Sequence, residues 1–198
     1  AATIRHELGW YDKCVFLFSG RLAREKGVDI LIEAMNRVCA RRDDVRLAVV
    51  GAGRLYEKLV GQLNPAAATC THFFGQAAYA DVPRFYALAD AFVLPSRHEP
   101  WGLVINEALA CGLPVVATDC CGAARDLVIP GRTGLVLHEP TADELANALN
   151  SLANDADDRQ AMGRAAAAHV RQWNFDRTLR VFLDAVIGAT PMSRAEAA

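Results

Sequence analysis

The sequence predicts an α/β domain: one parallel, six-stranded sheet with helices on both faces. Two observations carry that reading. Short apolar runs such as 14–19, 45–50 and 91–94 show no polar alternation, as in strands buried on both faces. Between them lie runs of helical spacing, the clearest placing Val28, Leu31, Ile32, Met35, Val38 and Cys39 on one face. Strands alternating with helices, joined by right-handed crossovers, give a parallel sheet with both faces covered. The 198 residues suffice for one domain with a core and are short for two.

In chain order, residues 1–13 read as a lead-in segment or linker, with a short helix near 4–8. The domain is expected over 14–188. Its first strand, 14–19, is followed by the helix around Val28–Cys39. A second strand, 45–50, ends in Gly51-Ala52-Gly53, and 54–63 reads as a helix. Residues 71–74 form a short third strand, closed by Gly75. Asp81 is placed to cap a helix to about Leu88. Residues 91–94 give the fourth strand, 103–111 a helix, 114–118 the fifth strand, 122–128 a short helix and 133–137 the sixth strand. Thr141, with Glu144 three residues on, has capping-box spacing before a helix to about Ala153. Two more helices are expected near 159–172 and 176–187, and 189–198 as a flexible tail. No internal repeat or low-complexity linker interrupts the chain.

Composition narrows the function. Hydrophobic residues make up 53%, so the chain is globular rather than disordered. A net charge of −2 argues against a general nucleic-acid or membrane-surface binder, so any anion site is local. No apolar run reaches transmembrane length, and the N-terminus lacks a signal peptide's apolar core. None of the six cysteines forms a CxxC pair. Cys14, Cys39, Cys70 and Cys111 sit in apolar patterns as small hydrophobes. Cys120 and Cys121 are adjacent, poor geometry for a structural disulfide or a zinc site. A reduced, cytoplasmic protein is expected.

The chemistry is concentrated between Ser96 and Ala108. Here a strand-like run turns into a helix through Glu99-Pro100-Trp101-Gly102, and Glu107 follows in the helix. Pro100 fixes its φ and has no N–H. Gly102 lets a ligand approach the backbone beside uncovered helix N–H groups. Open α/β sheets bind ligands at the carboxyl ends of their strands. Either glutamate alone reads equally well as a dipole partner or a solvated residue. After the first strand, Gly20-Arg21 and Lys26-Gly27 place a guanidinium and an ammonium where they could converge on a diphosphate. Gly51-Ala52-Gly53 lacks the third glycine of a dinucleotide fingerprint and reads as a tight turn. Asp155-Ala156-Asp157 has a metal-site spacing, but it lies between helices and reads as capping acids. Of the histidines, only His98 is near the motif.

The run from Glu99 to Ala108 resembles the Glu-x7-Glu motif of retaining glycosyltransferases of the family 4 type, and the match includes Pro100, Trp101, Gly102 and Leu103. The segment Gly20 to Gly27 and the run Ala110 to Ala117 are similar to the same family, and the resemblance covers about Val15 to Ala185. Residues 122–128 depart from the family's Gly-Gly-x-Pro-Glu, with Arg125 and Asp126 in place of Pro and Glu, so no catalytic role is assigned there. The resemblance implies one Rossmann-like half of a GT-B fold, the C-terminal, donor-binding half.

From the same resemblance, a hexose would pass from a nucleotide-diphosphate sugar to an acceptor with retention, by front-face substitution. Arg21 and Lys26 would neutralise the leaving diphosphate, with Arg24 and Arg97 less well supported. Glu99 and the N–H groups near Gly102 and Leu103 would hold the sugar, and Glu107 the ribose, with Pro100 and Trp101 also among the donor-binding residues. Gly20 would also bind the donor, and Gly75 and Gln76 would lie beside the base unless they are turn residues. No metal and no cofactor are implied. The acceptor-binding N-terminal half would be missing, and a membrane-peripheral placement could come through it. The alternatives are another GT-B enzyme, such as a sugar-nucleotide epimerase or a phosphorylase, and a non-catalytic nucleotide-binding module.

Overall fold

The computed structural model describes residues 2–138 and 141–187. The segment 189–198, expected as a tail, lies outside them. The strands are β1 (Cys14–Ser19), β2 (Val45–Val50), β3 (Thr71–Gly75), β4 (Ala91–Leu94), β5 (Val115–Thr118) and β6 (Gly134–Leu137). All pair in parallel, in the order β3-β2-β1-β4-β5-β6. The order reverses between β1 and β4, the switch point at which such sheets open a crevice. The central strands carry the core: Val15, Phe16, Leu17 and Phe18 of β1 and Phe92, Val93 and Leu94 of β4 are fully buried.

The helices are α1 (Ala2–Glu7), α2 (Val28–Cys39), α3 (Tyr56–Gln62), α4 (Pro65–Cys70), α5 (Val82–Leu88), α6 (Leu103–Ala110), α7 (Gly122–Leu127), α8 (Ala142–Asn154), α9 (Ala156–Val170) and α10 (Phe175–Ile187). Helix α2 packs against α3, α4 and α8, while α6 packs against α7 and α9 and α5 lies against β1. None is long and apolar enough to cross a membrane. The apolar face expected on α2 is buried, Val28, Leu31, Ile32, Met35 and Val38 fully.

Several expectations need correction. The helix expected over 54–63 is the shorter α3, and a further helix, α4, follows it. Its signal is Asn64-Pro65: the Asn64 carboxamide accepts from Ala67 N at 2.8 Å, and proline suits a first turn. Asp81 occupies the cap position of α5 without capping it, its carboxylate lying 3.6 Å from Arg84 instead. Thr141 does cap α8, accepting from Glu144 N at 3.2 Å. Asp155 caps α9, accepting from Asp158 N at 2.8 Å, so the Asp-x-Asp spacing is a helix start. Cys111 is exposed rather than core, whereas Cys121 is fully buried. The lead-in residues are docked on the domain: Trp10 is buried, and Arg5 bonds both Leu88 O (2.9 Å) and Asp90 (2.7 Å).

One position fixes the crevice. A 3-10 turn, Arg24–Lys26, ends at Gly27, whose φ is +66° and which also opens α2. A Cβ there would stand 1.8 Å from the Pro95 carbonyl oxygen, just beyond β4. The chains after β1 and β4 can touch only if residue 27 has no side chain. Gly27→Ala is therefore expected to lower the unfolding free energy by about 2 kcal/mol or more in urea titration. A midpoint equal to that of the unaltered chain contradicts this packing.

Candidate functional site

The site residues gather at the carboxyl ends of the strands. The loops after β1, β2 and β3 are laced by backbone bonds: Gly20 N to Val50 O (2.9 Å), Leu22 N to Ala52 O (3.0 Å) and Gly51 N to Gly75 O (2.7 Å). They enclose a groove of about 380 Å³ lined by Ser19, Gly20, Arg21, Gly51, Gln76 and Val82 among others. Three of the expected residues, Gly20, Arg21 and Gln76, thus share one wall. Gly75 ends β3, at φ +71°, and its carbonyl accepts from Gly51 N. A larger depression, about 510 Å³, lies between α2 and α8, on the helical flank rather than at the strand ends. Its Arg37 already reaches both Glu33 (2.7 Å) and Asp143 (2.8 Å), so the smaller groove is the better candidate.

Lys26 and Glu99, 73 positions apart, form an ion pair with both side chains mostly buried. The ammonium has three donors, so engaging Glu99 leaves others for a second anion. Arg21 is different. Its side chain is 69% exposed and its guanidinium pairs with Glu25 at 2.5 Å. Glu25 is held below the usual carboxylate range, first by its own backbone N–H and then by Arg21. Exposed pairs of this kind contribute only ~0–1 kcal/mol, so Arg21 can exchange its partner for a phosphate at little cost.

Arg97 is a fastener rather than an anion ligand. It makes a two-pronged contact with Asp29 (2.6 and 2.9 Å) and donates to Arg24 O at 2.9 Å, while its own N–H bonds Glu25 O at 2.8 Å. Those bonds tie the loop after β4 to the turn that carries Lys26. Burial alone would raise the Asp29 carboxyl, but the bonds and charge of Arg97 outweigh it and hold the group low. His98, exposed, contributes only its backbone N–H, to Glu25 O at 3.3 Å.

The loop from Glu99 to Trp101 lies across the start of α7. Gly122 N donates to Glu99 O (3.3 Å) and Ala123 N to Trp101 O (2.8 Å). These bonds use up N–H groups of α7, whose sequence departs from the resembled family. Helix α6 differs. Gly102 precedes it at φ +93°, a turn that glycine adopts without strain, and Leu103 and Val104 N–H have no partner among the described residues. Trp101 folds back, its indole N–H donating to Asn106 Oδ1 at 3.0 Å. Pro100 and Leu103 are exposed beside it. The arrangement offers anion and hydroxyl donors at one helix N-terminus, close to the Lys26–Glu99 pair.

Glu107 projects from α6 and accepts from the Tyr86 hydroxyl at 2.6 Å. Tyr86 is buried, and its hydroxyl is pushed up, first by burial and then by the Glu107 carboxylate, so it remains a donor. The sequence reading missed Tyr86. The only sequence signal was a phenol on the buried face of α5, which ordinarily means core. At the far strand ends, His138 Nδ1 lies 3.0 Å from Asp119 Oδ2, a contact the scattered histidines did not suggest.

Comparison with known proteins agrees with this fold. Residues 2–169 match the family described as Glycosyl transferases group 1. The chain is 38% identical over 181 residues to a GDP-mannose-dependent monoacylated alpha-(1-6)-phosphatidylinositol monomannoside mannosyltransferase of Corynebacterium glutamicum, covering 87% of this chain and 47% of that one. It is 33% identical over 186 residues to the D-inositol 3-phosphate glycosyltransferase of Paenarthrobacter aurescens, covering 87% and 43%. Among solved structures, Anabaena HepE in complex with UDP and glucose superposes with TM-score 0.80 and 28% identity, over 95% of this chain and 52% of that one. The C-terminal domain of the group 1 protein LpcC from Francisella tularensis shares the fold, with TM-score 0.73 and 23% identity, over 81% of this chain and 85% of that one. The chain spans about half the length of the curated relatives it matches.

The Asp29–Arg97 fastener can be tested by stability. Asp29→Asn is expected to lower the unfolding free energy at pH 7 by about 1 kcal/mol, since both side chains are partly solvated. The folded carboxyl titrates below its ordinary value of 3.8. Its contribution is therefore full above that value and fades as pH falls through the lower, folded one. The gap between parent and variant should narrow in acid, read by urea denaturation at stepped pH; a gap that widens in acid contradicts the assignment.

Proposed function

The chain belongs to the group 1 glycosyl transferases, and on that premise we propose that it is the donor-binding half of a retaining, metal-independent hexosyltransferase. The donor is a nucleotide-diphosphate sugar. The carrying observation is the meeting of Lys26 and Glu99 at the β1/β4 switch point, beside the open N-terminus of α6 and the groove holding Arg21 and Gln76. A base and ribose in the groove would bring the diphosphate to the Gly20-Arg21 turn and the sugar to the Glu99–Gly102 loop.

In this reading each group acts where charge changes. As the bond to the leaving diphosphate breaks, negative charge grows on its oxygens. Arg21, Lys26 and the α6 N–H groups stabilise that charge in fixed positions. Glu99, held by Lys26, accepts from sugar hydroxyls and is not placed as a free nucleophile, which fits front-face substitution with retention. Glu107 accepts from the ribose. The cationic side chains take the part that a divalent ion would otherwise fill. The acceptor site would lie in the other half of the relatives' length, so this chain binds donor and transfers sugar only when that half is joined.

Two measurements test this. Calorimetric titration with UDP and with GDP should show binding of at least one, unchanged by EDTA; a large loss in EDTA overturns metal independence. Arg21→Ala should weaken that diphosphate by about tenfold, the equivalent of roughly 1.4 kcal/mol, and leave the parent nucleoside unaffected. Equal losses for both ligands would remove Arg21 from the phosphate site.

A further inference from the structure

We propose that Tyr86 is a positioning residue for nucleotide recognition, locking the Glu107 carboxylate so that its second oxygen meets the hydroxyls of the nucleotide's ribose. The inference rests on the donor-site reading above and adds a residue that the reading does not need. Four observations carry it. The Tyr86 hydroxyl donates to Glu107 Oε2 at 2.6 Å, a short charge-assisted bond between α5 and α6. The phenol ring is buried against Phe92 of β4, centroids 5.9 Å apart, so the donor cannot swing away. Glu107 is only partly buried, and its Oε1 has no partner among the described residues, so one oxygen is anchored and the other is open. Finally, Val82, one helical turn before Tyr86 on α5, lines the groove, so the helix that anchors the glutamate also forms part of the groove wall.

The physical consequence is preorganisation. A glutamate on a helix samples several rotamers, and binding must freeze one. A buried hydroxyl that occupies one oxygen selects the rotamer beforehand, and it also keeps the carboxylate an acceptor for a diol. Removing the hydroxyl should therefore weaken ribose recognition without touching the diphosphate contacts.

The test compares UDP or GDP, whichever binds, with its 2′,3′-dideoxy analogue, by calorimetry on the 198-residue chain. The parent chain should prefer the ribose form by about tenfold or more. Tyr86→Phe should shrink that preference by about threefold to tenfold while leaving the dideoxy affinity unchanged. Tyr86→Met, with a different shape at the same site, should shrink it equally, and Glu107→Gln combined with Tyr86→Phe should lose no more than Glu107→Gln alone. If the parent prefers the ribose form and both Tyr86 variants keep the full preference, Tyr86 has no positioning role. If the variants lose both ligands in proportion, the residue is only structural. If the parent does not distinguish the two ligands, the ribose assignment of Glu107 fails first, and this inference with it.

Discussion

The ion pair of Lys26 with Glu99 joins two loops that the strand order sets side by side. β1 and β4 are neighbours in the sheet although 71 residues separate the end of the first from the start of the second. Each strand ends by sending its chain towards the crevice, one into a 3-10 turn and the other into the Glu99 loop. Two charges brought together where water is scarce must satisfy one another, because a lone buried charge costs several kcal/mol. The pair therefore sets the spacing of both loops, and the geometry of the rest of the site follows from it.

Around that pair the structure separates fastening groups from available ones. Arg97, with its paired bonds to Asp29 and its contact with Arg24 O, is consumed in holding the two loops. Arg21, solvated and weakly paired, remains exchangeable. Charge type and spacing in sequence make these arginines look alike. Their burial and partners make them different, since exposed pairs rearrange readily and two-pronged, partly buried ones do not. The same division separates the two helix starts beneath the Glu99 loop: Gly122 and Ala123 at the start of α7 give their N–H groups to backbone carbonyls, while Leu103 and Val104 at the start of α6 have no partner for theirs among the described residues.

Glu107 completes a second layer. Its carboxylate is reached by a phenol from α5, an element that enters the sheet from the opposite end of the strand order. The contact depends on α5 and α6 covering the same part of the sheet, where Tyr86 packs on Phe92. A single hydroxyl, on a ring buried in the core and bonded through its oxygen, thereby couples core packing to a carboxylate on α6.

The strands and most helices were legible because burial on both faces of a sheet leaves a local, unbroken apolar imprint, as in Cys14–Ser19, and a helix face leaves a periodic one, as in α2. The Glu99-to-Glu107 run was legible as a motif, as were Gly20, Arg21 and Lys26. Helix α4 escaped because its alanines carry no periodicity, leaving only the Asn64-Pro65 start. Pairings were not legible at all. The residues alone did not show that Lys26 meets Glu99, that Arg97 is occupied by Asp29 or that Tyr86 holds Glu107. Composition and periodicity thus determined the elements and the fold class, and short motifs, through their resemblance, the chemical types at the site. Which of those groups are mutually satisfied, and which stay open to a ligand, only the tertiary structure decided, because hydrogen-bond partners 21 to 73 positions apart become neighbours through strand order and helix packing.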